Sequence, residues 1–261
     1  MFKCLIFMIL FFIATPARAD ITTGLVGWWK FNEGTGTSAT ADSSGQGNNG
    51  VLTGHAPSWV QGKLVNALSF NGTSQYVQIS GATDSLKDVT KTSFTFVAWV
   101  KPLSFPPSCI DTSTVYYGLV IRPGYHTGLI YNCTGRFAGF VWMTNLTTRS
   151  LSSPAYTFGS WHHVVQVVDD AAKNLYLYVD GTPVTGSPVS YSGTLYDYAT
   201  SSYNVGAADP ANMSWSWLAN AVIDDVRIYN RALSAADVSQ LYALGVARIG
   251  GGQISNARIG N

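Results

Sequence analysis

Glutamate is almost missing from this chain: Glu33 is the single one among 14 acidic residues. A site built from two glutamates flanking an aspartate on one strand is therefore excluded. Cysteine is nearly as scarce, with only Cys4, Cys109 and Cys133. No serine sits in a G-x-S-x-G turn, and His55 and His126 stand apart from any Cys or His at metal-ligand spacing. No polybasic run exists that would fit nucleic acid or anionic lipid. Long apolar runs are also lacking, apart from Leu5 to Ala14, which is shorter than the ~20 residues a membrane span takes.

That one run follows Lys3 and leads to Ala17-Arg18-Ala19, the pattern of a signal peptide over residues 1–19. The expected mature chain starts at Asp20 and is secreted, extracellular or periplasmic. It carries 13 basic against 14 acidic residues, a net charge of about −1. Its about 240 residues are rich in Gly, Ser, Thr, Tyr, Trp and Val, a composition that fits one large all-β domain over residues 20–245. With Cys4 removed, Cys109 and Cys133 are left; in an oxidising compartment they read as a disulfide worth ~3 kcal/mol, the other use being two buried thiols. Residues 246–261 form a Gly-containing tail that repeats Ala-Arg-Ile-Gly at 247–250 and 257–260. The repeat reads as a mobile end or as a short anchoring motif.

Short strands separated by Gly-rich turns run through the domain. The segment from Asn32 to Gly50 is a long oxygen-rich loop. Ser93 to Lys101 is apolar on both faces except at Thr95, which predicts a central, doubly covered strand. Trp161 to Val168 and Asn174 to Val179 predict a strand pair, and Asp180-Gly181 a tight turn. Counted by two, Val222, Asp224, Val226 and Ile228 share one face of a last strand, and Ile223, Asp225, Arg227 and Tyr229 the other. The first set reads as the core face, which puts a carboxylate at Asp224 where burial is costly. A short helix follows, with Ser234 and Asp237 as capping box, Leu233 and Val238 as staple and Gly245 at its end.

GLVGWWKFNEG with DSSGQGNNG, ALSFNGTSQYVQI, SFTFVAWVKP, WHHVVQVVDD with LYLYVDG, and IDDVRIYNRALSAADVSQLY together resemble the LamG-like jelly-roll domains of the concanavalin A-like lectin and glucanase superfamily. The resemblance implies an all-β, two-sheet antiparallel jelly-roll sandwich with one short C-terminal helix, its first and last strands adjacent. It also implies an exported binding or adhesion module, in many relatives stabilised by calcium, whose partner is a glycan or a surface protein. Adjacent end strands would bring the loop after the first strand toward Asp224. Calcium takes six to eight oxygens, so the expected ligands are Asp224, Asp42, Glu33 and Asn48; the alternative is that these side chains only accept amides in turns.

Glycoside hydrolases of that superfamily pair carboxylates, which this chain cannot do in their usual pattern, so no catalysis is expected. His162 and His163 are adjacent on a strand, and His163 shares its face with Trp161, Val165 and Val167, as a packed histidine would. For sugar stacking the candidates are Trp215 and Trp217, one face of an extended MSWSWLA segment; their other use is core packing. Asn71, Asn132, Asn145 and Asn212 each begin an N-x-[ST] sequon and read as surface turns.

Overall fold

A computed structural model of the chain describes residues 20–104, 116–124, 127–196, 202–208 and 217–247. Its strands are β1 (Leu25–Trp29), β2 (Ala39–Thr40), β3 (Gly50–Thr53), β4 (Ser58–Gln61), β5 (Asn66–Asn71), β6 (Tyr76–Ile79), β7 (Phe94–Pro102), β8 (Tyr116–Arg122) and β9 (Thr127–Asn132), then β10 (Arg136–Trp142), β11 (Thr148–Ala155), β12 (His162–Asp169), β13 (Asn174–Val179), β14 (Thr182–Pro183), β15 (Val189–Ser190), β16 (Tyr203–Val205) and β17 (Asn220–Tyr229). One helix, α1 (Ala235–Ala247), follows. Two antiparallel sheets result, a sandwich consistent with the expected jelly roll. One runs β14, β13, β12, β7, β17, β5, β4, with β1 also on β17 and β15 on β13; the other runs β11, β10, β9, β8, β16, β6, β3, β2.

The sequence signals for the central strands hold. Strand β7 lies between β12 and β17 and is buried on both faces: Phe94, Phe96, Ala98 and Val100 fill the space between the sheets, while Val97 packs outward under α1. Its buried polar residue, Thr95, accepts from Leu233 N (3.0 Å) and donates to Arg231 O (2.9 Å), which fixes the link into the helix. Asp180 and Gly181 both take positive φ, 53° and 76°, and turn β13 into β14.

Strand β17 departs from simple alternation. Along one edge it carries two partners, β5 beside Asn220 to Ile223 and β1 beside Val226 to Tyr229. Between them the register against β7 slips, and Asp225 adopts φ 49°. That bulge resets the side-chain parity. Ala221 and Ile223, then Val226 and Ile228, reach the inter-sheet core, and Tyr229 packs on the outer face with Val97 and α1. Asp224 therefore does not share a face with Val226 and Ile228 as alternation predicts, and Asp225 is not turned to solvent. Both carboxylates are buried on the outer, helix-covered side.

Helix α1 starts as its sequence dictates. Ser234 Oγ accepts from Asp237 N (3.2 Å), Asp237 Oδ2 accepts from Ser234 N (2.9 Å), and Leu233 packs with Val238. It does not stop at Gly245 but continues to Ala247. Gly245 instead permits close approach to the sheet, since a Cβ there would lie 2.3 Å from Trp99 Cζ2. Helix propensity alone makes Gly→Ala favourable by ~1 kcal/mol. Here Gly245→Ala is expected to destabilise by about 1–3 kcal/mol through overpacking, read as a lower urea midpoint at unchanged m-value.

Candidate functional site

The four expected calcium ligands do not converge. Asp42 is the hub of its own loop: Oδ1 accepts from Trp28 N (2.9 Å) and Ser44 N (2.8 Å), Oδ2 from Ser44 Oγ (2.7 Å) and Asn48 N (2.9 Å). Glu33 Oε1 accepts from Thr40 Oγ1 (2.8 Å) and Ala41 N (2.7 Å). Asn48 donates to Val26 O (2.7 Å) and Ser85 Oγ (2.8 Å). Asp224 faces another turn, accepting from Leu64 N (2.9 Å) beside Gly62. Asp42 and Asn48 are thus joined, Glu33 binds elsewhere in the loop, and Asp224 is separate. Among the described residues no three His, Cys, Asp or Glu side chains gather at metal distance. Asn48 Oδ1 and Asp224 Oδ1 remain buried acceptors without a donor, but two scattered oxygens do not fit an ion that takes six to eight.

Asp224 belongs instead to a polar layer between the sheet and α1. In register across β17, β7 and β12 lie Asp224, Trp99 and His163. Trp99 stacks on Tyr242 of the helix at 5.7 Å and lies 5.1 Å from His163. Lys63 Nζ caps the Trp99 ring at 4.3 Å. Beside them Asp225 holds Arg227 (3.0 Å) and accepts from Trp28 Nε1 (2.6 Å), and the Arg227 guanidinium lies 4.3 Å over the Trp28 ring. Burial dominates the acid-base behaviour. It pushes the Asp224 carboxyl up to about 7, against the pull of the Leu64 amide, and His163 down to about 4. His163 is packed as expected, with no partner at either ring nitrogen; His162 Nδ1 meets Asp180 Oδ2 at 2.8 Å.

The described surface opens into a groove on the other sheet, on the face turned away from the core. There Leu129, Tyr131, Phe137 and Val141 point inward, and alternation sends Ile121, Ile130, Ala138, Phe140 and Trp142 outward. The cavity measures about 410 Å³. Its floor closes over Gly128, where a Cβ would lie 2.0 Å from Ile121 Cδ1 and 3.0 Å from Phe140 Cε1. One bank is the edge strand β11, whose Thr148, Ser150 and Ser152 face the groove opposite Trp142, Phe140 and Ala138. The other bank is Tyr116 and Trp217, edge to face with centroids 5.4 Å apart. Gly118 N donates to Trp217 O (2.9 Å), which docks that tryptophan against β8.

Of the residues singled out by sequence, Trp217 lines this groove. Trp215, Cys109, residues 1–19 and residues 248–261 lie outside the described residues. Cys133 is buried, its Sγ 3.7 Å from the Tyr117 hydroxyl. Sequence reasoning missed Tyr116, Phe140, Trp142 and the hydroxyl row. The available signal was the period-two Thr148, Ser150, Ser152 next to Phe140 and Trp142, which becomes a site only once the two strands are known to pair.

The model of a family described as the concanavalin A-like lectin/glucanases superfamily matches residues 71–239. No curated protein sequence matches the chain significantly. Among solved structures, the binding domain of Paraclostridial mosquitocidal protein 1 is similar with TM-score 0.65 at 16% identity, over 85% of this chain and 52% of that one. Trypanosoma rangeli sialidase with 2,3-difluoro-KDN gives 0.61 at 18% identity, over 87% of this chain and 33% of the sialidase. Domain 4 of AbnA, a GH43 extracellular arabinanase from Geobacillus stearothermophilus in complex with arabinotriose, gives 0.60 at 18%, over 84% of this chain and 98% of that domain. The chain thus spans a third of the sialidase and half of the mosquitocidal domain. At these identities the likeness is one of fold.

Two measurements check the electrostatics. Melting temperature is expected to be the same in excess EDTA and in millimolar calcium; a calcium-dependent rise that Asp224→Ala removes would restore Asp224 as a calcium ligand. Asp224 has a folded pKa above its unfolded value near 4, so its contribution to stability falls as pH rises from about 4 to about 7. His163 has a folded pKa below its unfolded 6.5, so its contribution rises with pH from about 4 to 6.5. The two slopes oppose each other. Denaturant titrations from pH 4 to 6.5 are expected to show Asp224→Asn gaining stability with pH more steeply than wild type, and His163→Phe losing it.

Proposed function

The chain belongs to the concanavalin A-like lectin/glucanases superfamily, and we propose that it is a carbohydrate-binding module holding a glycan in the groove over β8 to β11. One observation carries the reading: across the β10–β11 pairing, Phe140 lies opposite Ser150 and Trp142 opposite Thr148, so an aromatic stripe runs beside a hydroxyl stripe. Sugars present an apolar C–H face and a rim of hydroxyls, and that pair of stripes answers both. The cavity is of the size that takes a small ligand. The arabinanase domain solved with arabinotriose, almost all of which this chain spans, supports the same ligand class.

We read the module as non-catalytic. Glycoside cleavage takes two carboxyl groups roughly 5–10 Å apart. The described lining offers hydroxyls, aliphatics, aromatics and one arginine, and Glu33 is committed to Thr40 and Ala41. We also read it as exported, from the signal pattern of residues 1–19, with Cys109 paired to Cys133 as suits that compartment.

Trp142→Ala is expected to weaken glycan binding by about 1–3 kcal/mol, roughly 5- to 150-fold in Kd by titration calorimetry. Ser150→Tyr, a bulky change at an exposed position, should obstruct the groove to a similar extent while leaving the melting temperature within a few degrees of wild type. Full binding by both variants would move the ligand elsewhere.

A further inference from the structure

We infer that the groove selects uncharged glycans and rejects those carrying carboxylates, sialic and uronic acids among them. The inference rests on the groove being the glycan site and adds the chemical class of the ligand.

The single charged residue of the described lining is Arg122, and its guanidinium is already committed. Nη1 donates to Leu86 O (3.0 Å) and to the Tyr203 hydroxyl, Nη2 donates to Lys87 O (2.9 Å), and the group lies 4.8 Å over the Tyr203 ring. Leu86 and Tyr203 belong to the inter-sheet core, and Arg122 is 0% exposed. Its charge is thus turned to the side opposite the groove. Nearby arginines are held too: Arg149 alternates away from Thr148 and Ser150 and binds Ser190 O (3.3 Å), and Arg136 reaches Ser153 O (3.0 Å).

A carboxylate removed from water needs a cation or several strong donors. This groove offers the hydroxyls of Thr148, Ser150 and Ser152, which donate and accept in turn and so match sugar hydroxyls, which do the same. Among the described lining residues a carboxylated sugar would find no cation free to pair with it.

Matched probes test this: lactose against 3′-sialyllactose, and galactan against galacturonan oligosaccharides, with arabinotriose as a further neutral probe. Each is titrated into the full chain, into Trp142→Ala and into Ser150→Lys. The expected result is binding of neutral probes at least about tenfold tighter than their carboxylated partners, insensitive to salt from 50 to 500 mM. It should be lost in Trp142→Ala, and Ser150→Lys should narrow the gap by favouring the acid. Equal or tighter binding of the acids, lost in Trp142→Ala, would overturn the charge selection and leave the groove as the glycan site. Neutral binding untouched by Trp142→Ala, or no binding of any probe, would overturn the groove itself and the selection with it.

Discussion

Two strands share one edge of β17, and the molecule has to close the gap between them. A regular strand would have sent Asp225 into the core. The bulge at Asp224 and Asp225, with the latter at φ 49°, returns Val226 and Ile228 to the inter-sheet space and keeps both carboxylates on the outer side. Buried charge has to be compensated there. Arg227 supplies the counter-charge for Asp225, Trp28 the added donor, and the Leu64 amide one bond to Asp224. Helix α1 then covers the layer, at the distance Gly245 allows. Strand pairing, ion pair and helix packing are therefore one arrangement.

The groove depends on different means. Edge strands expose unpaired backbone groups and are prone to recruit other chains. Strand β11 forms such an edge, and its Thr148, Ser150 and Ser152 keep it hydrated while Pro154 removes one backbone donor. The same hydroxyls meet the aromatic stripe of β10 and give a surface that is wet on one side and apolar on the other.

Much of the fold was legible because its signals are local. The capping box of Ser234 and Asp237, the turn at Asp180-Gly181 and the doubly apolar run of β7 each reveal themselves within a few residues. The bulge in β17 was not, since counting by two presumes an unbroken ladder and a slip of one residue reverses every face. The oxygen-rich loop after β1 was ambiguous for another reason: its side chains look alike in sequence whether their oxygens bind an ion or the amides of a turn, and here Asp42 and Glu33 accept amides while Asn48 donates to Val26 O and Ser85 Oγ. The groove was legible only in fragments, with Trp217 noticed and the rest hidden in strands whose pairing partners sequence does not name.

The pairing of β1 with β17 has a consequence for how such a domain is used. The start of β1 and the end of β17 lie side by side on one sheet, and the groove opens on the outer face of the other. The strand pair that joins the two ends of the sandwich and the groove thus occupy opposite faces of the sandwich, so a substitution in the groove leaves the β1–β17 seam untouched.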